Sequence, residues 1–140
     1  MPISNYTTKI PTHKTISEIQ QMLAAHGAQK IMVEYKDKDP SDITFQIDTA
    51  KGNISFRLPA NWQGVLNAMG KDEKVPRALR KKDQAQRVSW RIIRDWVEAQ
   101  TAIIQAELAS IDQVFLPYAL TKGGKTVYDS INDKNFLMLE

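Results

Sequence analysis

The sequence predicts a single α+β domain: a three-stranded antiparallel sheet packed by helices, with one long central helix in the C-terminal half. Three observations carry that expectation. Between residues 30 and 58, apolar side chains recur at every second position in three short segments. After Pro76 no glycine or proline interrupts the chain until past residue 109, and apolar residues there recur at three- and four-residue spacing. With 140 residues, 42% of them hydrophobic, the chain can fill one ordinary core but not two well-developed ones.

Residues 1–14, polar with two prolines, read as an N-terminal arm whose order depends on docking, and 15–140 as the domain. Thr15-Ile16-Ser17-Glu18 fits a capping box, in which hydroxyl and carboxylate each satisfy a backbone N–H of the first helical turn. A helix is expected from there to about Ala25, with Ile16, Ile19 and Leu23 on one stripe and Gly27 as its left-handed stop. In the strands that follow, Ile31, Val33 and Tyr35, then Ile43, Phe45 and Ile47, then Ile54, Phe56 and Leu58 mark one apolar face. The other face carries Met32, Glu34, Thr44, Gln46, Ser55 and Arg57, polar enough to be solvated. The separators 37–42 and 49–52 are rich in turn formers, so a meander is the simplest pairing.

Asn61 is placed to cap a short helix through Trp62, Val65, Leu66 and Met69 that Gly70 closes. Pro76 suits the first turn of the long helix, expected over 76–109 with a bend near Asp83. Val88, Ile92, Trp96, Ala99 and Ile103 fall on one stripe and Ile93, Val97, Ile104 and Leu108 on the next. Together they span an apolar arc of roughly 200°, wide enough to cover the sheet and to permit a homodimer. Residues 111–120 read as another short helix with Pro117 late in it, 121–124 as a turn, and 127–139 as a tail able to dock on the body.

Charge is distributed unevenly. The whole chain is +3, yet residues 71–94 hold nine of its nineteen basic side chains against three acids, so that segment is +6 and the remainder −3. Such polarity suggests a polyanion-facing surface. The start of the chain lacks a basic stretch followed by an apolar core, and no apolar run approaches a membrane span of roughly 18 residues. The expectation is a cytoplasmic protein with no membrane partner. Having no cysteine, the chain can form neither a disulfide nor a thiolate site.

The main functional candidate is the strip Arg87, Trp90, Arg91 and Arg94, with Arg80, Lys81 and Lys82 about two turns upstream. Arginines one turn either side of a tryptophan are how a base-stacking platform with phosphate-binding arms is built. The plainer alternative pairs Arg91 with Asp95 and Arg94 with Glu98 on a solvated helix face with Trp90 half buried.

Other constellations are weaker. Glu34-Tyr35-Lys36 has the E-x-K spacing of a nuclease strand, but the aspartates Asp42 and Asp48 follow it instead of preceding it. Asp37, Asp39 and Asp42 lack the glycine and distal glutamate of a calcium loop, and Lys122-Gly123-Gly124-Lys125 falls short of a phosphate-binding loop. His13 and His26 have no spacing for a metal or a triad. The chain reads as non-enzymatic, with no cofactor and no metal.

The α-β-β-β-α order of residues 15–70 resembles the double-stranded RNA-binding domain. That module needs a basic first turn on its second helix, where this chain has Asn61-Trp62-Gln63-Gly64. Three further stretches, 56–60 (F-R-L-P-A), 87–100 (R-V-S-W-R-I-I-R-D-W-V-E-A-Q) and 114–118 (V-F-L-P-Y), resemble a group of small uncharacterised proteins encoded in bacteriophages, prophages and other mobile elements. The resemblance implies a setting in a bacterial host's cytoplasm, beside genes for DNA metabolism or for countering host defences. It transfers no activity residue by residue.

Two functions are therefore expected. One is an accessory protein that binds nucleic acid non-enzymatically, with Arg80, Lys81, Lys82, Arg87, Arg91 and Arg94 on phosphates and Trp90 stacking. The other is an inhibitor of a bacterial defence system, anti-CRISPR-like, whose partner is a host protein docked on the same face.

Overall fold

The computed structural model describes residues 3–134. Its sheet has the order β1-β2-β3, antiparallel throughout, with β1 at Ala28–Lys36, β2 at Asp39–Thr49 and β3 at Gly52–Pro59. The meander is as the alternation implies, and so are its two faces except at Tyr35, expected on the apolar face but exposed, where the register shift between Glu34 and Tyr35 breaks the alternation. Ile43, Phe45, Ile47, Phe56 and Leu58 are buried, whereas Met32 on the opposite face is exposed.

The first connection is shorter than expected. Asp37 and Lys38 both take positive φ, 52° and 72°, and join Lys36 to Asp39 as a two-residue turn. Turns of this hand match the strand twist, and aspartate tolerates the left-handed region better than most residues. Pro40 and Ser41 then continue β2, with Ser41 accommodated as an extra residue where the register shifts between Glu34 and Tyr35.

Helix α1 runs over Thr12–Ala25, three residues ahead of the predicted capping box. Pro11 stands at its N-cap, its carbonyl accepting from Lys14 and Thr15 N–H. The box residues have other work: Thr15 is fully buried, and Glu18 forms an ion pair with Arg91. At the far end, Gly27 with φ +105° is the expected stop, and His26 Nδ1 lies 2.9 Å from the Met22 carbonyl. Helix α2 (Trp62–Lys71) is capped by Asn61, whose side chain accepts from Gly64 N–H at 3.0 Å. It runs one residue past Gly70, so Gly70 does not close it.

The long helix is shorter than the sequence implies. Pro76 and Lys81 are extended, a single 3₁₀ turn occupies Arg77–Leu79, and α3 begins only at Lys82 and ends at Gln105. Tertiary contacts override the helical pattern. Leu79 packs into a small core of Met69, Val75, Ala85 and Val88. The Arg80 guanidinium donates to the carbonyls of Val75 and Asp72 at 3.0 and 2.9 Å, folding the preceding loop back on itself. Past Gln105, Glu107 takes φ 61°, which takes the chain out of the helix before 109 and leaves Leu108 exposed. Trp90, Ile93, Val97 and Thr101 form the buried stripe of α3, at spacings of three and four.

The main core lies between the sheet and the pair α1 and α3. Phe45 and Phe56 stack at 5.2 Å, and Phe115 meets Phe45 edge-on at 5.4 Å. Phe115 follows the four-residue helix α4 (Ile111–Val114) and precedes a 3₁₀ turn at Leu116–Tyr118, so residues 111–120 are two short turns broken at Phe115. Leu120 N–H then donates to the Ser55 carbonyl at 2.8 Å and Ala119 bridges Phe56, covering the outer edge of β3. Helix α5 (Val127–Lys134) completes the described chain. The rest of the expected tail, 135–139, lies outside the described residues. No helix among them is long and apolar enough to cross a membrane.

Candidate nucleic-acid interface

The residues of the basic strip have very different surroundings. Trp90 is 1% exposed and belongs to the main core, so its ring offers no face to a base. Helix packing explains this: Trp90 stands on the stripe that faces α1 and the sheet, not at the edge of the arc. Arg91 turns toward α1, where it pairs with Glu18 and reaches to 3.5 Å from the Thr15 hydroxyl, instead of pairing with Asp95. Arg94 does meet Glu98 at 2.7 Å and also contacts Asp95 at 3.2 Å. Burial opposes its charge, but Asp95, Glu98 and Glu18 outweigh that cost and raise its pKa. Arg80 is held by its two carbonyls. Lys82 lies 3.2 Å from Asp39 and 5.0 Å from the centre of the Trp62 ring.

Arg87 and Lys81 are placed differently. The Arg87 guanidinium donates through Nε and Nη2 to Gln84 Oε1, at 3.0 and 2.6 Å. Gln84, buried on the first turn of α3, donates in turn from Nε2 to the carbonyls of Tyr6 and Thr8, both at 2.9 Å. Ile3 and Tyr6 pack on the small core, so the N-terminal arm docks against α3. Lys81 is exposed and has no ion-pair partner among the described residues.

Arm and helix enclose an open groove of about 380 Å³, lined by Thr7, Thr8, Lys9, Pro11, Leu79, Lys81, Gln84 and Arg87. Three cations from three segments meet there and two threonines add hydroxyls; no carboxylate is among the lining residues, although Asp83 lies 3.9 Å from Arg87. The groove lies at the N-terminal end of a 24-residue helix, whose dipole adds positive potential that Asp83 in the first turn partly offsets. Lys9 was not among the residues the basic segment singles out, because it lies 62 positions before Lys71 and only the docking of the arm brings it here. Of the seven sequence candidates, Lys81 and Arg87 meet in this groove.

The remaining constellations stay apart. Glu34 accepts from the Thr44 hydroxyl at 3.2 Å, and Asp39 is paired with Lys82. Among the described residues no three histidine, aspartate or glutamate side chains converge as metal ligands would. No family model matches the chain, and neither a curated protein nor a solved structure does.

Proposed function

We propose that the protein binds nucleic acid without acting on it chemically, as an accessory protein of a phage or mobile element, and that the groove between arm and α3 is the contact surface. The observation that carries this reading is the lining: Lys9, Lys81 and Arg87 converge with two hydroxyls and no carboxylate. Among the described residues Lys9 and Lys81 have no ion-pair partner and Arg87 meets only Asp83, at 3.9 Å, so these cations can release condensed ions from a phosphate backbone on binding. Gln84 takes the Nε and Nη2 of Arg87 and so aims its Nη1 end, 3.9 Å from the exposed Asp83, as the part that would meet a phosphate. Arg91 and Arg94, engaged with carboxylates, contribute structure more than contact.

Titration of short single- and double-stranded DNA and RNA at several salt concentrations tests it. Three phosphate contacts give a slope of log K against log salt of about −2 to −3. Lys9→Ala and Lys81→Ala should each reduce that slope by about one. Affinity for no oligonucleotide at low salt, or slopes indifferent to both substitutions, would retire the groove as the binding surface.

A second reading, an inhibitor that binds a protein of the host's defences, draws support from a different place. A cleft of about 500 Å³ beside β3 is lined by Pro59, Pro117, Tyr118 and Tyr128 together with Asp42, Arg57, Thr126 and Asp129. Tyrosine and arginine are enriched at protein interfaces, and Tyr128 is more than half exposed. Relief of a defence system by the wild type, lost on Tyr128→Ala and retained in Lys81→Ala, would favour this reading over the first.

A further inference from the structure

The two outer edges of the sheet are treated differently by the chain. That of β3 is covered by Ala119 and Leu120, whereas β1 is the other end of the sheet order and pairs only with β2 among the described residues. An uncovered strand edge presents unpaired N–H and C=O groups, and proteins usually blunt it with charges or bulges. β1 carries both: Lys30 and Lys36 lie on it, and register shifts occur between Ala28 and Lys30 and between Glu34 and Tyr35. Between those shifts, five residues pair regularly, Lys30-Ile31-Met32-Val33-Glu34.

That sequence is complementary to itself when read antiparallel. A two-fold axis through Met32, the midpoint of Ala28–Lys36, sets Lys30 opposite Glu34 of a second copy and Glu34 opposite its Lys30. On the same face, Met32, 55% exposed in the single chain, meets its own equivalent. On the other face, Ile31 and Val33, both only partly buried against the core, meet Val33 and Ile31. Every directly opposed pair among the five is therefore opposite in charge or apolar, the two kinds of cross-strand pair that stabilise a sheet. A strand of unrelated sequence gains no such match, so the charges that guard the edge against strangers admit a second copy.

We infer that the β1 edge is a homodimer interface, in which two copies pair β1 to β1 about a two-fold axis at Met32 and form a continuous six-stranded sheet. This surface differs from the helical arc that the sequence offered for self-association. The inference is also independent of the nucleic-acid groove, which lies between the arm and α3.

Sedimentation equilibrium of the full chain, from about 1 to 500 µM, tests it. The wild type should dimerise within that range. Lys30→Glu places two like-charge pairs across the axis and should weaken the dimer by about tenfold or more. Combining it with Glu34→Lys restores opposite charges and should recover most of the affinity, which a substitution harmful only to the fold would not do. Met32→Lys, at an exposed position, sets two ammonium groups together on the axis and should leave a folded monomer. A wild type that stays monomeric throughout, or a dimer insensitive to both Lys30→Glu and Met32→Lys, overturns the proposal.

Discussion

Gln84 Nε2 lies 2.9 Å from the carbonyl oxygen of Thr8, 76 residues earlier in the chain. The same amide reaches the Tyr6 carbonyl, and its oxygen takes two bonds from Arg87. An amide has two donor protons and two acceptor lone pairs, and here all four are used. A buried polar group satisfied in this way costs little and fixes geometry. It ties the arm to α3 and aims Arg87, so groove and arm form together.

Gln84→Met keeps the volume and removes all four bonds. Two carbonyls on the arm then lose their partner and the guanidinium is left with Asp83, at a cost of about 1–3 kcal/mol. The expected outcome is a lower midpoint in urea, with trypsin cleavage at Lys9 accelerated more than cleavage at Lys51 in the hairpin turn. An unchanged cleavage rate at Lys9 would show that Ile3 and Tyr6 hold the arm without Gln84.

Trp90 separates the stacking role from a core role. Trp90→Leu removes much of a buried aromatic side chain and is expected to cost about 2–4 kcal/mol. A base-stacking residue would instead show its loss in binding, about 1–3 kcal/mol per base. We expect the folded variant to bind any nucleic-acid ligand as the wild type does, while its denaturation midpoint falls. The reverse pattern would return Trp90 to the interface.

The sheet was legible in the sequence because its signal is local: a period of two with turn formers between, and Phe45, Phe56 and Leu58 fall inward as the alternation requires. Asn61 and Gly27 were legible for the same reason, since a cap and a left-handed stop depend on a few neighbours. The start of α3 was not. Local pattern favours a helix from Pro76, but Leu79 is drawn into a core with Met69 and Val75, and Arg80 ties the loop at Asp72. The groove was half legible. Lys81 and Arg87 lie in the conspicuous basic run, whereas Lys9 joins them only through tertiary contact. Likewise Glu18 looked like a capping residue because its partner Arg91 is distant in sequence.

That pair gives an asymmetric prediction. Arg91 is 12% exposed and Glu18 35% exposed. Removing the glutamate leaves a largely buried cation without its counter-charge, with only Thr15 and the neighbouring arginine nearby. Removing the arginine leaves a carboxylate that water can reach and that still has Arg94 at 4.0 Å. Glu18→Ala should therefore cost about 2 kcal/mol, reduced from the fully buried case by its exposure, and Arg91→Met about 1 kcal/mol or less. Chemical denaturation of both single variants and the double variant measures the difference. Equal costs would mean that the pair is solvated and contributes little.

Asp39 supplies a pH-dependent tether between β2 and the start of α3. The nearby Gln86 and the Lys82 ammonium, the latter 3.2 Å away, hold its carboxyl below the ordinary value of 3.8. In the unfolded chain the group takes up a proton near that ordinary value, while in the folded chain it stays ionised to lower pH. Its contribution is therefore complete above about 3.8 and is lost as the pH falls through the folded value. A carbon-13 titration of the Asp39 carboxyl should give a midpoint below 3.8 in the native protein. Lys82→Met should move it upward, and so should Gln86→Leu. A native midpoint at or above the ordinary value, or one that neither substitution shifts, would show that water rather than these two side chains surrounds the carboxylate.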